Sequence, residues 1–358
     1  MQVLSPSMLF APPNANESFM NENKQCHDNT TSLPLQITNI PSEFIWPEHE
    51  KPCLTPPKLE VPPIDLKAFL SNDPNSISNA CSKVYHACKK HGFFLVVNHG
   101  VDNKLIAQAH KLVDEFFCMQ LSEKQRAQRK MGEHCGYANS FIGRFSSKLP
   151  WKETLSFRYS GNKSVYQNYC EAMSNLSLSI MELLGMSLGV DKEYFRNFFE
   201  GNDSVMRLNY YPPCKNPDLA LGTGPHCDPT SLTILHQDQV EGLQVLVDGI
   251  WHSVVPKEDA FVVNIGDTFM ALSNGIFKSC LHRAIVNDKI VRKSLAFFLC
   301  PNEDKMVTPP KELITKENPR KYPNFTWPSL LEFTQKYYRA DERTLDVFSM
   351  WLQEKTST

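Results

Sequence analysis

The chain has 358 residues, 41% of them hydrophobic and 21% charged, with 37 basic side chains against 39 acidic and a net charge of -2. This is enough apolar material for a sizeable core in one large domain or two tightly joined ones, and the even charge balance argues against a nucleic-acid or anionic-membrane binder, which carries a basic excess. No apolar run of about 18 residues offers a membrane span. The opening MQVLSPSMLFAPPNANES lacks the basic and apolar blocks of a secretory signal, and the 11 cysteines, without a CxxC pair, read as reduced thiols of a cytoplasmic protein.

In chain order, residues 1–38 are rich in Asn, Ser, Thr and Pro and read as a mobile tail. The proline-rich IPSEFIWPEHEKP and LTPPKLEVPPIDL that follow read as extended chain. Apolar positions at Ile77, Ala80, Cys81, Val84, Tyr85 and Cys88 predict a helix that Gly92 stops. FFLVVNHG is a buried strand, and a second helical pattern runs from Leu105 to Phe117. A long helix is expected over about 164–188, so residues 39–200 form a helix-rich region. Short β-branched runs broken by Gly, Pro, Asn and Asp fill residues 201–302: LTILHQD, LQVLVDG, WHSVVP, AFVVNIG, CLHRAIV and SLAFFLC. Such runs predict a sandwich or jelly roll. Residues 303–358 return to helical spacing. No internal repeat is present.

The chemistry concentrates in the strand-rich region. On a strand, residues two apart share a face, which aims His226 and Asp228 at one point. His282, in CLHRAIV, supplies a second imidazole. Two histidines and one carboxylate suit iron(II), because three positions stay open for a chelating cosubstrate and O2; zinc accepts the same ligand types with one open site. Arg292 and Ser294 decide between them. They share a strand face, and a guanidinium fork with a neighbouring hydroxyl matches the far carboxylate of a dicarboxylate chelated at its other end. A zinc hydrolase needs neither. Of the other histidines, His99 in VNHGV reads as a strand end in the helical half, His236 and His252 lack partners at useful spacing, and Asp267 in NIGDT reads as a turn residue.

RLNYYPPC, GPHCD, SNG-x-x-KS-x-x-HR and RKS together resemble the plant 2-oxoglutarate-dependent dioxygenase superfamily over residues 55–302. The resemblance implies an α+β fold, a double-stranded β-helix (jelly-roll) core flanked by helices. It implies Fe(2+) as cofactor, 2-oxoglutarate and O2 as cosubstrates, ascorbate as reductant, and Asn209 and Tyr211 as further 2-oxoglutarate contacts. IPSEFIWP, CGYANSFIGRFSSKLPWKETLSF and LGTGPHCDPTSLTILHQD are similar to the gibberellin 20-oxidase group, which implies successive oxidation of carbon 20 of a gibberellin. Such a rigid, carboxylate-bearing diterpenoid asks for apolar walls and fixed cations, for which Trp151, Lys152 and Arg144 are the candidates; a core strand with solvated lysine is the bland alternative. The charge balance and the lack of an apolar span lead to an expectation of no nucleic-acid or membrane partner, and the chain is expected to be a monomer, although the sequence leaves the oligomeric state open. The rivals are a gibberellin 2- or 3-oxidase or flavonoid oxygenase, against which LPWKETLSF speaks, and a non-catalytic small-molecule binder, against which the intact triad with RKS speaks.

Overall fold

The computed structural model describes residues 33, 35, 39–130, 133, 135–138, 148–158, 165–337 and 343–357. Arg144 and, apart from Leu33 and Leu35, the N-terminal stretch 1–38 lie outside the described residues. Twelve strands build two sheets: β1 Pro63–Asp65, β2 Phe93–Val97, β3 Gly136–Ala138, β4 Glu153–Arg158, β5 Val205–Tyr211, β6 Leu221–His226, β7 Leu232–Gln237, β8 Leu243–Val247, β9 Ile250–Ser253, β10 Ala260–Ile265, β11 His282–Ile285 and β12 Arg292–Leu299. The large sheet has the order β1-β2-β10-β7-β12-β5-β4-β3 and the small one β6-β11-β8-β9. Apart from the parallel β1–β2 pair, the pairings are antiparallel. The core is a double-stranded β-helix with helices on one side.

Burial explains why these strands read as almost continuous apolar runs. The outer face of the large sheet carries Leu155, Leu208, Leu295, Ile234, Val263 and Phe94, which merge with the helices into one core cluster. Helix Pro74–Lys90 contributes Ala80, Val84, Ala87 and Cys88 from its buried stripe; it starts at the Asp73 cap, whose side chain accepts from the Ser76 N–H, and Pro74 suits the first helical position. Gly92 then adopts φ +72° against the Lys278 carbonyl, 2.1 Å from where a Cβ would sit, so the predicted stop is a requirement for glycine. Helix Asn103–Phe117 lays Phe117 flat on Tyr210 of β5, centroids 5.0 Å apart. The long predicted helix is Val165–Ser187. The C-terminal helical pattern is two helices, Trp327–Tyr337 and Thr344–Ser357. Among the described residues no helix is long and apolar enough to cross a membrane.

The inner face of the large sheet looks at the small sheet and is different in character. At one end it is apolar, with Phe93, Leu95 and Val262 packed on Leu243, Val245 and Val247. Directly opposed residues of an antiparallel pair point the same way, and the registers of β4, β5, β12 and β7 put Thr154, Asn209, Ser294 and Gln237 in one row. All four are buried. Such a polar row inside a closed sandwich marks the functional cleft, because buried polar groups are costly unless partnered.

Nine cysteines, Cys227 among them, are free. Cys118 is disulfide-bonded, so the expectation of uniformly reduced cysteines does not hold for it.

Candidate functional site

His226 ends β6 and His282 begins β11, and the two stand directly opposite each other across the β6–β11 pair. Their rings lie 4.2 Å apart. Asp228 comes from beyond the end of β6, where the chain turns before β7. Its convergence with His226 is therefore a property of that turn, not of strand alternation. Asp228 Oδ1 is 3.6 Å from His226 Nε2, and Oδ2 is 3.6 Å from His282 Nε2. One ligand atom from each residue lies within 4.8 Å of the others.

Each ligand atom is aimed by a neighbour. His226 Nδ1 donates to the Gly224 carbonyl at 2.9 Å and His282 Nδ1 to the Cys280 carbonyl at 3.2 Å. A carbonyl only accepts, so both rings carry a proton on Nδ1 and turn Nε2 toward the shared point. Thr233 Oγ1 and Asn264 Nδ2 donate to Asp228 Oδ2 at 2.6 and 3.0 Å. Burial opposes ionisation of this carboxyl, but His282, His226, Thr233 and Asn264 outweigh it and hold Asp228 below the ordinary carboxylate range. The donor set, two imidazoles and a fixed carboxylate, fits iron(II). Thr233 and Asn264 were not legible as site residues, since each belongs to an apolar strand run.

Farther along the cleft stand Arg292 and Ser294 of β12, 2% and 1% exposed. Arg292 Nη2 donates to Gln237 Oε1 at 2.7 Å, and its guanidinium lies over the Tyr211 ring, 5.0 Å from the centroid. Ser294 Oγ accepts from Asn209 Nδ2 at 3.2 Å. The four residues assigned to the cosubstrate thus form one group. Arg292 Nε and Gln237 Nε2 are buried without a hydrogen-bond partner among the described residues. Buried unpaired donors are rare in native proteins, and two beside a serine hydroxyl suit a carboxylate, which only accepts. Two glycines open the space. A Cβ on Gly222 would sit 2.6 Å from Tyr211 Cδ1, and one on Gly242 would sit 2.6 Å from Arg292 Cδ.

The substrate candidates divide. Trp151 is packed in a satellite core with Phe44, Ile40 and Tyr211, edge-on to Phe44 at 5.1 Å, with Nε1 donating to the Pro212 carbonyl at 3.2 Å. Lys152 enters the cleft beside Tyr211, donating from Nζ to Thr223 Oγ1 at 2.9 Å. His252 keeps to the surface with Ile250. His236, which spacing left without a partner, meets His110 from the second helix, Nδ1 to Nε2 2.8 Å. This pair lies behind the large sheet, away from the triad.

Two family models match the chain: the 2OG-Fe(II) oxygenase superfamily over residues 202–301 and the non-haem dioxygenase in morphine synthesis N-terminal region over 61–174. Gibberellin 20 oxidase 2 of Arabidopsis thaliana is 61% identical over 346 residues, covering 90% of each chain. Gibberellin 20 oxidase 1-B of Triticum aestivum is 60% identical over 340 residues, 88% of this chain and 93% of that one. The crystal structure of JOX2 in complex with 2OG, Fe and JA superposes with a TM-score of 0.78 at 32% identity, over 88% of this chain and 95% of that one.

Proposed function

Because the chain belongs to the 2OG-Fe(II) oxygenase superfamily, we propose that His226, Asp228 and His282 hold its iron and that Arg292, Ser294, Tyr211 and Asn209 hold its 2-oxoglutarate. The substrate we propose is a twenty-carbon gibberellin, oxidised at carbon 20 to the alcohol, then the aldehyde, then a nineteen-carbon lactone with loss of the carbon as CO2. The protein is a 2-oxoglutarate-dependent dioxygenase with iron, 2-oxoglutarate and O2 as its reagents. When bound, iron with 2-oxoglutarate and O2 supplies the oxidising chemistry, at the expense of decarboxylation to succinate.

The residues do the rest. The Nδ1–carbonyl bonds fix the orientation of both imidazoles. Thr233 and Asn264 occupy one oxygen of Asp228 and fix its plane. Arg292 offers its unpaired Nε–H, and Ser294 its hydroxyl, to a distal carboxylate, which sets how the other end of the dicarboxylate meets the metal. The apolar end of the cleft, with Phe93 edge-on to His282 at 5.7 Å, excludes water from the reacting region. The observation that carries the reading is the triad and the buried Arg292–Ser294 pair opening into one cleft.

We further propose a monomer acting in the cytoplasm, without nucleic-acid or membrane partners; the balance of 37 basic to 39 acidic residues supports the absence of a polyanionic partner. Incubation with iron(II), 2-oxoglutarate, ascorbate and a twenty-carbon gibberellin tests the substrate, with succinate release and mass spectrometry of the products as readouts. Stepwise oxidation at carbon 20 is expected. Hydroxylation at carbon 2 or 3, with carbon 20 untouched, overturns the 20-oxidase reading and leaves the dioxygenase standing.

A further inference from the structure

LPWKETLSF invites a reading as substrate wall, but its geometry places it at the cosubstrate end of the cleft. The Leu149 N–H donates to the Glu43 carbonyl and the Trp151 N–H to the Leu221 carbonyl of β6, both at 2.8 Å. Two residues later Glu153 is already paired with Tyr210 of β5 in the large sheet. The segment therefore bridges the two sheets at the edge of the sandwich, and Lys152 stands at the crossing. Its Nζ donates to Thr223 Oγ1 at 2.9 Å. The same oxygen lies 3.3 Å from the Tyr211 hydroxyl. The Lys152 ammonium is 5.8 Å from the Tyr211 ring centroid and the Arg292 guanidinium 5.0 Å from it. Lys152, Thr223, Tyr211 and Arg292 are 6%, 8%, 4% and 2% exposed, so all four meet in the buried interior.

We infer that Lys152 and Thr223 are positioning residues of the 2-oxoglutarate pocket: together they orient the Tyr211 hydroxyl beside Arg292, so that they govern cosubstrate affinity and not gibberellin binding. The inference rests on the reading of Arg292 and Ser294 as the distal-carboxylate anchor. The physical argument runs along a hydrogen-bond chain. An ammonium donating to Thr223 Oγ1 polarises that hydroxyl to donate to Tyr211, and Tyr211 is then free to turn its own proton toward a carboxylate. Each link strengthens the next in a low-dielectric site. Trp151 is accounted for by the same bridge: its ring N–H and backbone N–H are both used to hold the segment in place.

The test separates cosubstrate from substrate. The iron(II)-loaded full chain is titrated anaerobically with 2-oxoglutarate, following the visible charge-transfer band of the chelate, so affinity is read without turnover. KM for the gibberellin is measured in parallel. Lys152→Met is expected to weaken 2-oxoglutarate about ten-fold or more and Thr223→Val, nearly isosteric, about five-fold, with the gibberellin KM unchanged and with partial recovery in Lys152→Arg. Arg292→Lys is the control, expected to weaken 2-oxoglutarate about ten- to a hundred-fold. If Arg292→Lys weakens 2-oxoglutarate but Lys152→Met and Thr223→Val do not, or if they raise the gibberellin KM instead, the inference is overturned and the anchor stands. If Arg292→Lys leaves the titration unchanged, the anchor reading itself fails. Circular dichroism establishes folding, and should Lys152→Met not fold, Thr223→Val decides.

Discussion

Gly242→Ala is the most direct probe of the cosubstrate pocket, because it adds one methyl group and removes nothing. Gly242 lies immediately before β8 and is not among the positive-φ glycines, so alanine carries no backbone penalty there. Its Cβ would stand 2.6 Å from Arg292 Cδ, 2.7 Å from Arg292 Nε and 3.0 Å from the Ile285 carbonyl oxygen. Ordinary contact begins at 3.4 Å, so the Arg292 stem must retreat by about 0.8 Å, the difference between 3.4 and 2.6 Å. Functional groups tolerate a displacement of about 0.5 Å, and about 1 Å costs on the order of a hundred-fold. The expected result is a ten- to hundred-fold rise in the 2-oxoglutarate requirement on this scale. The long arginine side chain yields more readily than a rigid core residue, so the stability loss belongs at the low end of the overpacking range, about 1 kcal/mol. The assay is succinate release against 2-oxoglutarate concentration, with a urea melt alongside. A fully folded Gly242→Ala with wild-type 2-oxoglutarate dependence would refute the placing of the cosubstrate carboxylate at Arg292 Nε.

His226→Ala, Asp228→Ala and His282→Ala should each abolish turnover while preserving the circular dichroism spectrum; Asp228→Glu should fail too, since a methylene moves the carboxylate by about 1 Å against a tolerance of about 0.5 Å. Thr233→Val removes the 2.6 Å hydrogen bond to Asp228 Oδ2 and should weaken iron about ten- to a hundred-fold, read by equilibrium dialysis; undiminished metal retention would count against an orienting role. Burial, reinforced by neighbouring positive groups, pushes His110 down to about 3 and His236 down to about 4 from the ordinary 6.5. The unfolded chain therefore takes up these protons first, so their contribution is complete above about pH 6.5 and falls by about 1.4 kcal/mol per pH unit per histidine as pH drops from 6.5 toward 4. Urea melts at pH 7 and 5 should show this loss, and His110→Gln with His236→Gln should flatten it; a wild-type stability that does not change over that range contradicts the argument.

What was legible in the sequence follows its physics. Helices with a single buried stripe and strands of unbroken β-branched residues declared themselves, because their burial is one-sided or complete. β6 did not. Its sequence LGTGPH offers two glycines and a proline, normally a mark against a strand, and the reason is local: Gly222 is excluded from bearing a side chain by Tyr211. The triad is legible by residue type, but strand alternation does not account for it, since Asp228 is carried by the turn after β6. Gly242, Thr223, Thr233, Asn264 and Gln237 reach the cleft by pairings between distant strands, which spacing along the chain does not encode. The His110–His236 contact, 126 positions apart, escaped notice for the same reason.

The pair Lys152 and Glu153 shows how tightly β4 must be registered. Lys152 projects to the cleft and Glu153 to the helical side, where its Oε2 accepts from Lys124 Nζ at 2.5 Å and from the Tyr137 hydroxyl at 2.6 Å. Glu153 and Lys124 are both fully buried. A buried ion pair is weak evidence of net stabilisation, because desolvation offsets the attraction, yet removing one partner costs about 3–5 kcal/mol. That asymmetry makes it a device for register more than for stability. A slip of one residue would exchange the faces of every side chain on the strand. It would leave Lys124 uncompensated in the core and put the Glu153 carboxylate beside Tyr211 and Arg292, where a dicarboxylate is to bind. The same charge pair that punishes the slip thus keeps the Glu153 carboxylate out of the cleft, and strand β4 ties the packing of the helical layer to the chemistry on its other face.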